Sequence, residues 1–394
     1  MTIKQLAFET QQHLQAQTGT IFKRSHVYEL LAAAFGFNSY ASLCAKHIFT
    51  QGGVPSRHST KYAESAGRRC LELDYPPETA LKLVPTLSNY LADQDIGVIR
   101  IADIVAYLQY ETYGVYETSR VDDLELDEFD DDAEDAEEDI DSSWPDFEFI
   151  VTPVLLDGLT DVAEKGNADA HYALALIYGS SYDPDNKTRM GSDYWYNEER
   201  NGRVLSGVQK EWAESYAAML SDSEKYEHHL RAAGAQAHEA ALLEMAERFD
   251  DPSFFEKLST YSESVDATRA ADIAENLGLH MHAWRWKTKA SEQGNTVAMR
   301  ELIETYDIGD QPQCWTWFYL AKLLGTDLSK DEYRAFHEDG SNYDDDIGGP
   351  LYVEGRDGVR LKPIGADEDA AAQQAAATLY QSIVTRRALV RSQG

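Results

Sequence analysis

The chain of 394 residues is strongly acidic, with 69 Asp and Glu against 35 Lys and Arg and a formal net charge of −34 at pH 7. That balance argues against general binding to nucleic acid or to an anionic membrane, both of which repel a negatively charged surface. A hydrophobic content of 43% and only 11 prolines suit large helical cores, and the length predicts two or three domains.

Residues 1–70 run against the overall charge. Eight basic residues, Lys23, Arg24 and Lys46 among them, face three acidic ones, a local net charge of +5. The pattern predicts helices over 4–18 and 24–35, with Ser25 as an N-cap and Gly36 as the stop. Asn38 and Ser39 then cap a short helix from Tyr40 to His47. Further helices are expected over 60–73, 77–93 and 99–112, so that 1–70 forms a separate basic unit and 71–121 a continuation. Residues 31–43 resemble a helix-turn-helix, and Lys23, Arg24 and Lys46 are its candidate nucleic-acid contacts.

Residues 122–141 hold 14 acidic positions in 20. Charge this dense repels itself and has few apolar groups to offset ordering, so 122–145 is expected to be an acidic linker.

From about 146 a repeat emerges. Ala170, Leu174 and Tyr178 follow Gly166 at four-residue steps, and Ala298, Leu302 and Tyr306 follow Gly294 in the same way. A degraded copy surrounds Gly234. Before the glycines, Ala283, Trp286, Ala290 and Gly294 share their spacing with Cys314, Trp317, Ala321 and Gly325. Small residues and one aromatic on one helix face permit close packing, and the glycine ends the helix at positive φ. The stretch 283–295 resembles the second helix and turn of the Sel-one-like repeat, a relative of the tetratricopeptide repeat. The resemblance is good over 283–325 and weaker back to 155. It implies an all-α fold, with helix pairs stacked as an α-solenoid over 146–330, and a role in binding other proteins.

Two insertions interrupt this array, 180–206 and 331–365. The second predicts a β-hairpin, with strands at 351–354 and 359–362 around an Asp357-Gly358 turn. A last helix is expected over 367–390, within a C-terminal segment 366–394, acidic at its start and basic at its end.

Candidate chemistry is sparse. His228, His229 and His238, or His280 with His282, are read as packed or exposed side chains and not as a metal set, because adjacent histidines diverge on a helix. Asp344, Asp345 and Asp346 are read as a solvated turn. No phosphate loop, dinucleotide fingerprint, nucleophile elbow or paired cysteines is present. Cys44, Cys70 and Cys314 are read as reduced thiols of a cytoplasmic protein without a secretory leader. No catalytic residue, metal or cofactor is therefore expected. The 180–206 insertion carries Tyr194, Trp195 and Tyr196, the candidate partner-binding residues, since aromatics dominate interface hot spots. The expected function is a non-enzymatic scaffold for a basic protein partner, for example as an immunity or inhibitor protein. The alternative is a DNA-linked regulator acting through residues 1–70.

Overall fold

The computed structural model describes residues 1–52, 63–113, 150–179, 192–257, 265–337 and 350–391, and the acidic linker and the Asp344–Asp346 turn lie outside them. The described chain is mainly α-helical with two small antiparallel strand pairs. No described helix is long and apolar enough to cross a membrane. Described residues up to Phe254 form one compact unit, and those from Phe255 onward a second.

The first unit opens with α1 (Ile3–Thr18), α2 (Arg24–Ala34), α3 (Tyr40–Cys44) and β1 (His47–Gln51). It continues with α4 (Ala63–Glu72), α5 (Pro77–Asp93), β2 (Ile96–Arg100) and α6 (Ile101–Tyr113). Leu6, Leu14, Phe22, Leu30, Leu31, Leu83 and Leu87 share one core, and Val154, far along the chain, joins it. The expected boundary at residue 70 falls within α4, where Cys70 is buried in that core, so residues 1–70 are not a separate unit.

Two local expectations are corrected here. Helix α2 starts at Arg24 with Lys23 at the N-cap, and Ser25 lies inside it. The helix expected from Tyr40 to His47 stops at Cys44, although Ser39 caps it as expected by accepting from the Ser42 amide at 3.0 Å. Residues 47–51 instead pair with β2, Phe49 opposite Val98 and Ile48 opposite Ile99. Ile48, Phe49 and Thr50 suit a strand, but the partner lies some fifty residues on and leaves no local trace.

The remainder of this unit is α7 (Pro153–Glu164), α8 (Ala168–Gly179), α9 (Asp193–Arg200), α10 (Val208–Ala235) and α11 (Glu239–Phe249). Ile48 and Ile99 of the sheet pack with Leu155, Leu159 and Leu174 of α7 and α8. Tyr172, Leu176, Tyr226, Leu230 and Met245 join α8, α10 and α11. At the centre of that join the buried Glu244 carboxylate accepts from the Tyr172 hydroxyl at 3.0 Å and the Tyr226 hydroxyl at 2.7 Å. Gly166 takes positive φ between α7 and α8, as its place in the repeat predicts. Gly234 does not end its helix: α10 runs on to Ala235, and Ala237 supplies the left-handed residue at φ 60°. Gly234 serves close packing instead, since a Cβ there would lie 2.6 Å from Met245 Sδ.

After the short α12 (Ser253–Lys257), the second unit holds α13 (Ala267–Asn276), α14 (His280–Gln293), α15 (Thr296–Glu301), a π-helical turn Leu302–Tyr306 and α16 (Gln311–Leu323). Then come β3 (Glu332–Phe336), β4 (Tyr352–Arg356) and α17 (Ala366–Arg391), whose first turn carries Asp367, Glu368 and Asp369. The two sequence stripes are buried: Ala283, Trp286 and Ala290 on α14, and Cys314, Trp317 and Ala321 on α16. Gly294 and Gly325 follow them at φ 104° and 98°. The expected hairpin is misplaced. Its first strand is β4, but β4 pairs with β3, Glu332 opposite Arg356, while 359–362 is not a strand. The Asp-Gly pair does not close a turn: Gly358 N–H donates to Asp331 Oδ1 at 2.8 Å and Val359 N–H to Leu328 O at 2.7 Å, and these bonds hold the segment down.

Polar groups lock this unit. The π-helical turn delivers Asp307 between two indoles, where its carboxylate accepts from Trp284 Nε1 and Trp317 Nε1, each at 2.9 Å. Lys287, only 1% exposed, is paired with Glu301, with Glu275 at 3.2 Å and with Asp272 at 3.7 Å. Arg300, fully buried, reaches Glu304, Glu332 and the Asp357 carbonyl, tying α15 to the strand pair. Replacing Asp307 by Ala removes both indole acceptors, and each bond to a charged group contributes about 1.5–3 kcal/mol. We expect Asp307→Ala to lower the denaturation midpoint sharply and Asp307→Asn, which keeps one acceptor oxygen, to lose about half as much. Equal stability of all three in urea, read by tryptophan fluorescence, would show that the carboxylate does not hold the pair.

Candidate functional site

Three of the singled-out residues sit together on α9. Ser192 caps this helix, its hydroxyl accepting from the Trp195 amide at 3.3 Å. Eight residues are too few to persist alone in water, so α9 depends on its packing against α10. Yet none of its residues is fully buried. Tyr196 turns toward α10, its ring 5.4 Å from that of Tyr216, with the Arg200 guanidinium 5.7 Å from its centroid. Trp195 is half-buried, with Arg203 4.9 Å from its ring and Arg203 bonded to Glu198 at 2.8 Å. Tyr194 points outward, 55% exposed, and meets Trp195 edge to face at 4.9 Å.

The apolar surface extends beyond what the sequence reading named. Trp212 on α10 is 39% exposed, Val208 55% and Val204 94%. The Trp212 carbonyl accepts the Ser192 N–H at 3.2 Å, which joins the start of α9 to the first turns of α10. Leu205 and Ala213 are buried beneath. A cluster of large exposed apolar side chains is characteristic of an interaction surface. Trp212 had one sequence signal: it is a lone aromatic among Gln209, Lys210, Glu211 and Glu214. The division within the triplet is chemical. Tyr196 packs on α10, while Tyr194 stays exposed.

The candidate nucleic-acid residues are exposed and tied into local structure. Lys23 N–H donates to the Tyr75 hydroxyl at 3.1 Å. Arg24 lies 5.0 Å from the Phe8 ring centroid. Lys46 lies in the turn between α3 and β1, not on a helix, and its carbonyl accepts from Ile101 N at 2.9 Å. The second helix of the helix-turn-helix resemblance is thus a five-residue turn with Leu43 buried, and none of the three basic residues projects from it.

The histidines divide into two sites. His238 caps α11: its Nδ1 accepts from the Ala241 amide at 3.2 Å while its Nε2 faces Asp169 at 3.5 Å. Its ring packs on Tyr172 with centroids 4.5 Å apart. Burial lowers its pKa, partly countered by Asp169 and Glu239. His171 and His229 meet separately, Nδ1 to Nδ1 at 3.0 Å, joining α8 to α10. Burial and the neighbouring His171, His228 and Lys225 push His229 down to about 4, and burial lowers His171 as well. Among the described residues no group of three or more His, Cys, Asp or Glu could hold a metal ion.

Comparison of the chain with protein-family models, with curated proteins and with solved structures returned no match.

The His238 cap carries a pH dependence. A protonated ring loses its Nδ1 acceptor, and the folded state therefore resists a proton that the unfolded chain takes up near pH 6.5. Stability from this group is present above that range and is lost as pH falls through it. Asn caps equally well without titrating. Between about pH 7.5 and about pH 5, the wild-type melting temperature is expected to fall further than that of His238→Asn. Parallel curves would remove the neutral cap as a source of acid sensitivity.

Proposed function

We propose that this chain is a non-enzymatic protein-binding scaffold, built from stacked Sel-one-like helix pairs, that captures a basic protein partner in the cytoplasm through α9 and the start of α10. The observation that carries the reading is one helix with three consecutive aromatic residues, none of them fully buried, next to exposed Trp212. Folding leaves such surface wet only at a cost that a partner removes, and rings of this kind supply contact area with little side-chain entropy to lose.

The partner's charge follows from electrostatics. A body carrying −34 attracts a basic protein and accelerates the encounter, with a rate that falls as salt rises. An immunity or inhibitor protein acting on a basic toxin is one specific form of this role. The stacked-pair reading is supported by the buried stripes of α14 and α16, each closed by a left-handed glycine.

The test removes exposed rings and leaves the buried layer intact. Tyr194→Ala combined with Trp212→Ala is expected to weaken binding of a basic protein recovered by co-purification with the wild-type chain by about thirtyfold or more, the loss of at least about 2 kcal/mol associated with a hot spot; recovery of no basic protein would refute the proposal. Helical content and melting temperature should stay close to wild type. Unchanged affinity for that protein would refute the assigned surface, and association indifferent to salt would refute the charge argument.

A further inference from the structure

We propose that β4 is a self-association edge, pairing antiparallel with β4 of a second copy of this chain around a twofold axis at Gly355 and joining two strand pairs into one sheet. The inference goes beyond the protein-binding role and does not depend on it.

The strand pair β3–β4 is incomplete by itself. Two strands alone are marginal in water, and a third strand or more over an apolar face is usually needed. All of β4 is exposed, and among the described residues no third strand covers its outer edge. Tyr333, Leu351 and Val353 are large apolar side chains left exposed here. The bonds of Gly358 and Val359 to Asp331 and Leu328 hold the end of β4, so the edge is presented in a fixed place.

Charge says what the edge fits. On one face of the pair the residues alternate in sign, Glu332 and Arg334 on β3 and Glu354 and Arg356 on β4. Within the chain Arg356 bonds Glu332 at 2.9 Å, and Arg334 lies 3.9 Å from Glu354. An antiparallel second copy centred on Gly355 sets Glu354 opposite Arg356 of that copy, and Arg356 opposite its Glu354. Each row then runs Arg334, Glu354, Arg356, Glu332 across the joined sheet, with every neighbour opposite in sign. Opposite charges facing each other across strands stabilise a sheet, and like charges destabilise it. Moving the centre to Glu354 or to Arg356 sets like on like. Moving it to Val353 sets Glu354 opposite Tyr352 and Arg356 opposite Pro350. One register is therefore selected.

The other face agrees with the same register. Gly355 lets Tyr333 come close, because a Cβ there would collide with Tyr333 and with the Glu332 carbonyl. The Tyr333 hydroxyl reaches across to Asp357 Oδ1 at 2.6 Å. Val353 of the second copy would lie opposite Asp357, beside the Tyr333 ring, so that two exposed apolar groups cover each other.

Local charge also permits a second copy. The whole chain carries −34, yet residues 330–337 and 350–362 hold five basic and four acidic side chains. Charges on an edge ordinarily keep other strands away. Here their alternation makes the edge complementary to itself.

Sedimentation velocity of the full-length chain at about 0.15 M salt, where repulsion is screened beyond about 8 Å, tests the pairing. So small a contact is expected to give a reversible dimer with a Kd between about 1 μM and about 100 μM. Glu354→Arg and Arg356→Glu should each weaken it by about tenfold or more, because each sets like charges opposite one another twice across the axis. Mixing the two variants should restore association, since an edge with two basic residues then meets an edge with two acidic ones. A wild-type chain still monomeric at about 200 μM, twice the weakest expected Kd, would overturn the proposal. So would a dimer indifferent to both charge reversals, or a mixture no more associated than either variant alone.

Discussion

Close approach of helices is the constraint on which most of this structure depends. Where one helix turns back beside the next, the facing side chains must be small and the connecting backbone must reverse within two or three residues. Alanine stripes meet the first demand: Ala170 and Ala173 on α8, Ala283 and Ala290 on α14, and Ala321 on α16 are all buried. Left-handed residues meet the second, at Gly166, Ala237, Gly278, Gly294 and Gly325. Glycine occupies four of these five because it adopts positive φ without a Cβ clash. Alanine stripes pack closely but contribute modest apolar area, so large rings and buried ion pairs complete the layers. Tyr172, Tyr226 and Trp317 are the rings, and Glu244, Asp307, Lys287 and Arg300 are the polar groups that fix their partners.

This logic was legible in sequence wherever it is local. The Ala283-Trp286-Ala290-Gly294 spacing described a real buried stripe with its helix stop, because both depend only on helical periodicity and on one residue's φ. The aromatic triplet of α9 was visible for a similar reason. What escaped was non-local. Residues 47–51 become a strand only because 96–100 lie alongside them. The second hairpin strand was assigned to 359–362, but β4 found its partner upstream at Glu332–Phe336. Gly234 looked like a helix stop by analogy with Gly166, whereas Met245 packs against it and the helix continues. The basic N-terminal residues had seemed a separate unit on charge alone, yet charge says nothing of cores, and Val154 shares theirs.

The proposed binding surface follows from a departure from the same constraint. Elsewhere the chain buries rings such as Tyr172, Tyr226 and Trp317 and satisfies them with carboxylates. On α9 and the first turns of α10 it does neither, and Tyr194, Val204, Val208 and Trp212 remain exposed. The exposure of Trp212 shows only once α10 is in place, since it depends on which face of that helix packs on α8 and α9. The surface carries Arg200 and Arg203 close to its rings, so in the proposed role the acidity of the rest of the chain would act at longer range, on the encounter, and the rings at short range.

Backbone hydrogen exchange tests the claim that α9 and the start of α10 are the partner-binding face most directly. Amides of α9 alone in solution should exchange quickly, because eight residues with no buried side chain open easily. Addition of a basic protein recovered with the chain by co-purification should slow exchange across α9 and residues 204–213 while α8 and α11 keep their values. Protection confined to other helices, with α9 exchanging as before, would contradict the account.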